Sequence, residues 1–206
     1  MTRVCLVACL VVAVAIGACA KKRRGPVVVE GLTGGVEVFS DDFERDSPSD
    51  RWLSRSGRWD IRGGWLHCRG DQNEGIWLNV PLPERVRVEF DARSLSDDGD
   101  IKFEIFATEQ RHQAGYILIM GGWKNTVTII ARLNEHGEDR VEKGLTVEKG
   151  RTYHFVAVRT DGTLSWFVDN ELVAQYRDED PIRGRYFGFN DWASDLYFDN
   201  LKVFAL

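Results

Sequence analysis

Residues Val86–Ser94 read VRVEFDARS. Val86, Val88, Phe90 and Ala92 fall on one side of an extended chain, and Arg87, Glu89, Asp91 and Arg93 fall on the other. Successive side chains of a strand point to opposite faces, so this alternation marks a strand with one buried face. The pattern continues outward. Asp100–Phe106, DIKFEIF, places Ile101, Phe103 and Ile105 on one face. Thr126–Asn134 (TVTIIARLN) and Leu164–Tyr176 (LSWFVDNELVAQY) are rich in β-branched and aromatic residues, which suit a pleated surface. Ala114–Met120 (AGYILIM) and Tyr153–Arg159 (YHFVAVR) are apolar on both faces, as strands covered on both sides would be.

Turn signals separate the runs, among them SDDGD at Ser96–Asp100 and the Asp-Gly of RTDGTL at Arg159–Leu164. No segment holds a 3.6-residue period for three turns. The expectation is an all-β fold, a two-sheet antiparallel jelly-roll sandwich, in one domain over residues 36–206.

The N-terminus reads as a targeting segment. Arg3 precedes the apolar run VCLVACLVVAVAI, which is short for a membrane span of roughly 20 residues. Ile16–Cys19, IGAC, resembles the bacterial lipobox. That resemblance implies a lipoprotein signal peptide over residues 1–18, lipidation of Cys19 and a tether over 19–35; the alternative is an ordinary signal peptide cut near Ala20. With lipid, the protein is membrane-anchored through acyl chains. Neither Ala20 nor Lys21 is acidic, so the outer membrane is expected in a Gram-negative host. Lys21–Arg24 either rests on anionic headgroups or belongs to a solvated tether. Cys5 and Cys9 leave with the signal, so Cys68 has no partner for an internal disulfide. Residues 25–206 carry 22 basic and 32 acidic side chains, a net of −10. That balance argues against nucleic acid as a partner.

The domain opens with VFSDDFERDSPSDRW (Val38–Trp52), continues with GRWDIRGGWLHCRG (Gly57–Gly70) and closes with RYFGFNDWASDLYFDNLKV (Arg185–Val203). This layout resembles the concanavalin A-like lectin/glucanase superfamily, and within it laminin-G-like and 3-keto-disaccharide hydrolase-like domains. The resemblance implies that the first and last strands pair. It also implies a structural calcium ion near them, with Asp42 and Asp199 as candidate ligands and carbonyls around Gly63 and Gly64 as helpers. In a strand of period two, Asp199 shares the inward side with Leu201 and Val203, where a carboxylate needs compensation. Calcium is one source; backbone amides or an arginine such as Arg45 are the others.

Glycosidases of that superfamily carry Glu-x-Asp-x-(x)-Glu on one strand. Here Glu89 and Asp91 match its beginning, but position 94 is serine. The charges around them read as a solvated face, and no catalytic residue is assigned. His67, His112, His136 and His154 show no ligand spacing. Cys68 reads as a small core residue.

Six of the seven tryptophans can be placed from their surroundings. Trp52, Trp59, Trp65 and Trp166 fall in strands or their turns and are expected in the core. Trp123 (MGGWKN) and Trp192 (FNDWAS) lie in polar turns beside Asn125, Asn190 and Asp191. An aromatic face flanked by amides and carboxylates suits a sugar ring. The alternative is that both rings plug the ends of the sandwich. The expected function is a surface-anchored, non-catalytic lectin-like domain that binds carbohydrate or another extracellular ligand through these five residues. A glycoside hydrolase of the 3-keto-disaccharide hydrolase or family 16-like type is the second reading.

Overall fold

A computed structural model describes residues 29–206 except Gly57. The expected signal peptide, Cys19 and the basic cluster lie outside the described residues. The described residues form fifteen strands: β1 (Val36–Asp41), β2 (Trp52–Ser54), β3 (Trp59–Arg62), β4 (Trp65–Arg69), β5 (Ile76–Leu78), β6 (Val86–Ser94), β7 (Ile101–Ala107), β8 (Tyr116–Gly121), β9 (Val127–Arg132), β10 (Arg140–Lys143), β11 (Tyr153–Thr160), β12 (Thr163–Val168), β13 (Glu171–Arg177), β14 (Tyr186–Asn190) and β15 (Asp195–Ala205). One sheet runs β13-β12-β11-β6-β15-β4-β3, with β1 also pairing β15; the second runs β10-β9-β8-β7-β14-β5-β2. Every strand pair is antiparallel. The fold is a two-sheet antiparallel jelly-roll sandwich.

The alternation of β6 fixes the layers. Val88, Phe90 and Ala92 are fully buried between the sheets. Phe90 stacks on Phe155 of β11 at 5.0 Å and meets Phe103 and Phe189 of the facing sheet edge-on at 4.9 and 5.1 Å. Burying such rings contributes about 1.5–3 kcal/mol each.

The first and last strands pair, Val36 with Ala205 through Asp41 with Leu201. β15 is shared along its length: on one edge it pairs β6, and on the other Asp195–Phe198 pair β4 while Leu201–Ala205 pair β1. The handover falls at Asp199 and Asn200, where the register slips and Asn200 is left-handed at φ 52°. This bulge corrects the inward placement of Asp199. Phe198 and Leu201 are both buried, while Asp199 is half-buried on the outer face and Asn200 is exposed. One extra residue inverts the parity of all that precede it.

Two further expectations change. Trp65 is only partly buried and lies on the outer face, with the Arg93 guanidinium 4.3 Å from its ring. Part of the expected tether is docked: Val29 and Leu32 pack on Val156, Val158 and Phe167, and Arg87 donates to the carbonyls of Gly31 and Gly34 at 3.0 and 2.8 Å.

Candidate functional site

The second sheet turns one face away from the core. Along β7, Ile101, Phe103 and Ile105 enter the core while Lys102 and Glu104 point to this outer face. Both charged residues are nevertheless buried, because loops from three regions close over them. The result is a pocket of about 500 Å³. Trp123 and Trp192 stand on its walls, 39 % and 55 % exposed, although 69 positions separate them in the chain.

Trp123 is displayed by a turn that ordinary helix geometry would not give. In the short segment α1 (Gly122–Asn125), Trp123, Lys124 and Asn125 all have positive φ, 49°, 60° and 61°. Left-handed conformation is disfavoured by roughly 1–2 kcal/mol per residue with a Cβ. Asn125 offsets part of this. Its Nδ2 donates to the Val147 carbonyl at 2.7 Å, and its Oδ1 accepts from the Val147 amide at 2.6 Å, so its side chain is bonded as a strand neighbour would be. Gly121 is required behind it, since a Cβ there would stand 2.5 Å from Asn125 Oδ1. Asn73, Asp100 and Gln113 also line the pocket with positive φ. Such backbone strain gathers at functional sites. His136 meets the Trp123 ring edge-on at 5.4 Å, and the Arg140 guanidinium lies 5.6 Å from it.

The floor is a charged network. Lys102 Nζ donates to Asn73 Oδ1 at 3.0 Å and lies 3.1 Å from Glu135 Oε2. His112 Nδ1 contacts Glu104 Oε1 at 2.5 Å, and its Nε2 faces Glu135 Oε1 at 3.5 Å. Asn190 Nδ2 and the Gln113 amide donate to Glu104 at 2.8 and 3.1 Å. Burial pulls the His112 pKa down, but the bonds with Glu104 and Glu135 outweigh it and raise it to about 9. Burial pushes Glu135 up, but His112 and Lys102 win and hold it at about 2. Asp100 goes the other way. Burial first, relieved in part by Lys102, lifts it to about 6. Among the residues lining the pocket, Ser194 Oγ is buried without a hydrogen-bond partner among the described residues, while His112 Nε2 and Glu135 Oε2 are buried with only their ion-pair contacts to Glu135 and Lys102.

Of the five residues expected to bind ligand, Trp123 and Trp192 share this pocket. The other three do not line it. Asn125 is engaged by Val147. Asn190 is fully buried beneath the floor, where it positions Glu104. Asp191 is fully buried in its turn, accepting from the amides of Gly70 and Ser194. Sequence reading missed Lys102, Glu104, His112 and Glu135. Lys102 and Glu104 looked like the solvated half of an alternating strand, and only the sheet order brings His112 and Glu135 to them.

Asp42 is exposed and accepts from the Glu44 amide at 3.2 Å. Asp199 accepts from its neighbour Asn200, and burial followed by the charges of Asp91, Glu44 and Asp42 lifts it to about 6. Arg45 pairs instead with Asp41, at 2.6 and 2.8 Å, in a site completed by Trp52 Nε1 at 2.8 Å. Among the described residues, the group of His, Cys, Asp or Glu that draws together is Cys68, Asp71 and Asp191. Its carboxylates are occupied by main-chain amides and Trp59 Nε1, and burial pushes the Cys68 thiol up, so it stays protonated. Glu89 and Asp91 lie on the outer face of the other sheet, bonded to Arg87 and to His154.

Comparison with solved structures gives the same fold at low identity. A carbohydrate-binding module, CBM66 from Bacillus subtilis, is 17% identical with a TM-score of 0.62, over 75% of this chain and 96% of that one. A laminarinase from Flavobacterium sp. UMI-01 is 12% identical with a TM-score of 0.63, over 82% and 100%. The endo-beta-1,3-glucanase from Pyrococcus furiosus is 11% identical with a TM-score of 0.62, over 82% and 94%. No curated protein matches the sequence. The model of the family described as Farnesoic acid 0-methyl transferase matches residues 80–203, more than half of the chain.

Proposed function

The chain belongs to the family described as Farnesoic acid 0-methyl transferase; from its pocket we propose that it is a carbohydrate-binding domain whose site lies between Trp123 and Trp192. One observation carries the reading: two exposed indoles flank a floor of buried, fixed polar groups, of which Ser194 Oγ lacks a partner and His112 Nε2 and Glu135 Oε2 are held by ion-pair contacts alone. Sugar rings present this mixture, an apolar face for stacking and hydroxyls that both donate and accept. A hydroxyl can accept from His112 Nε2 and donate to Glu135 Oε2. The family description points instead to an isoprenoid acid. Laying an apolar chain over Lys102, Glu135 and His112 would strip water from charges without replacing its hydrogen bonds, so a hydroxyl-rich ligand fits better. The neighbours in fold include a carbohydrate-binding module and glucan hydrolases, which supports the same class.

The domain acts without catalysis in this reading, exported and held at the cell envelope through Cys19. Loss of metabolic palmitate labelling in Cys19→Ser is the expected outcome for that anchor. The binding test is calorimetric titration with neutral oligosaccharides, followed also by tryptophan fluorescence. Trp192→Ala, at an exposed position, is expected to stay folded and to lose affinity by about tenfold or more, the scale of a stacked ring lost. Full affinity in folded Trp123→Ala and Trp192→Ala proteins would refute the assignment.

A hydrolase is the second reading, favoured by Asp100 and Glu135. Both line the pocket, and their surroundings push one pKa to about 6 and the other to about 2. Pairs displaced in this way supply an acid and an ionised carboxylate at one pH. Release of reducing ends from a bound oligosaccharide, abolished in Asp100→Asn, would establish it.

A further inference from the structure

Arg159 stands on the core side of β11. Phe155, Ala157 and Arg159 share one face of that strand, and the first two are core residues. The arginine is only 6 % exposed. Its guanidinium lies 3.8 Å from the Phe106 ring centroid and 6.0 Å from that of Tyr116, between the sheets at one end of the sandwich. NH1 donates to the Ile182 carbonyl at 2.8 Å. Among the described residues no carboxylate forms an ion pair with it. Buried cations are ordinarily paired, and burial holds this one below the usual arginine range.

Two adjoining depressions open onto Arg159, of about 310 and 540 Å³, and share Glu84, Arg159 and Arg183 as lining. Arg183 and Arg185 are exposed and have no ion pair among the described residues; Arg185 is anchored by its Nε, which donates to the Leu82 carbonyl at 2.9 Å. Arg85 is neutralised by Glu30 and Asp161. At the smaller depression three guanidinium groups face one carboxylate, Glu84; with Arg85, Glu30 and Asp161 at the larger one included, four positive groups stand against three negative, in a domain whose overall charge is −10.

We propose that this end of the sandwich binds a phosphate group, with Arg159 as its floor and Arg183 and Arg185 at its rim. The planar fork of N–H donors matches phosphate oxygens two at a time. The local excess of positive charge, two around the smaller depression, suits phosphate better than a lone carboxylate. The site is separate from the tryptophan pocket and does not depend on the carbohydrate reading: Lys102 and Phe106 lie toward opposite ends of β7. The phosphate has two possible sources, free phosphate or a lipid headgroup. Glu30, bound to Arg85, lies at the start of the described chain, eleven residues after Cys19, a reach of at most about 40 Å when extended.

The test uses the full chain, titrated calorimetrically and by thermal midpoint with inorganic phosphate and, separately, with glycerophosphoglycerol, a soluble headgroup diester. Potassium chloride at matched ionic strength is the control. Saturable binding that raises the midpoint beyond chloride is expected, weakened about tenfold in Arg183→Ala, as for one charged hydrogen-bonding group lost. Arg159→Met, which keeps an apolar stem over Phe106, is expected to abolish it. Should that variant fail to fold, Arg183→Ala decides alone, since its side chain is exposed. Tighter binding of the diester assigns the source to lipid, and tighter binding of inorganic phosphate assigns it to the free ion; either upholds the site. Chloride equalling both ligands, or phosphate affinity undiminished in Arg183→Ala, overturns it.

Discussion

Asp191 is fully buried beside Asp71, which accepts from its amide. Burial, and next the charge of Asp71, lifts its pKa to about 7. An unfolded aspartate titrates near ~3.9, so between about pH 4 and 7 the folded state holds the extra proton. The stability this contributes is present below the unfolded value and lost as pH rises through the folded one. Asp100 and Asp199, each lifted to about 6, act in the same direction. Glu135, held at about 2, loses its contribution only in stronger acid, whereas His112, raised to about 9, loses its contribution as pH rises from about 6.5 to 9 and so adds to the same fall. The thermal midpoint is therefore expected to fall as pH rises from 5 to 8. Asp191→Asn keeps one acceptor oxygen for the amides of Gly70 and Ser194 and loses the other. It should be less stable at pH 5 by about 1–3 kcal/mol, with a flatter midpoint-against-pH curve, measured by calorimetry across that range. A slope as steep as in the unsubstituted protein would place the titration elsewhere.

At the scale of an element, the bulge in β15 lets one strand serve β4 and then β1. Asn200 holds the left-handed position, a conformation that asparagine and glycine tolerate and β-branched residues resist. Asn200→Gly is expected to change stability by less than about 1 kcal/mol, and Asn200→Val to lower it by roughly 1–3 kcal/mol, both read from urea midpoints. Equal stability of the two variants would mean that the bulge is not held by this residue. The bulge also marks where reading by period ended. Alternation in β6 and β7 placed Phe90 and Phe103 in the core, and the polar turns marked Trp123 and Trp192 as different from the other tryptophans. Alternation carried through Asp199 without an interruption put its side chain on the wrong face. Adjacency in sequence misled in the same way for Asn190, which ends β14 pointing beneath the pocket, and for Asn125, whose amide serves Val147. Lys102, Glu104, His112 and Glu135 meet only because β7 lies between β8 and β14 under loops far apart in the chain. That ordering comes from packing across the sheets and leaves no local signature.

On the whole molecule, the segment before β1 belongs to the packed structure. Val29 and Leu32 cover Val156, Val158 and Phe167 on the outer face of the larger sheet. Leu32→Ala is expected to cost about 1–2 kcal/mol in a urea titration, below the range for a fully buried leucine because the site is only partly enclosed. An unchanged midpoint would mean that this face needs no cover.

The place of β15 in the larger sheet also has a consequence in time. The strand made last among those described lies between β6 on one edge and β4 and β1 on the other. Until Asp195–Ala205 arrive, β1 has no partner and β6 lacks one of its two neighbours. Residues 36–205 must all exist before the larger sheet can close. Closure over such separations is slow, on the order of milliseconds to seconds. A chain built this way holds its larger sheet open through the synthesis of that whole stretch, and completes it only once Asp195–Ala205 have been made.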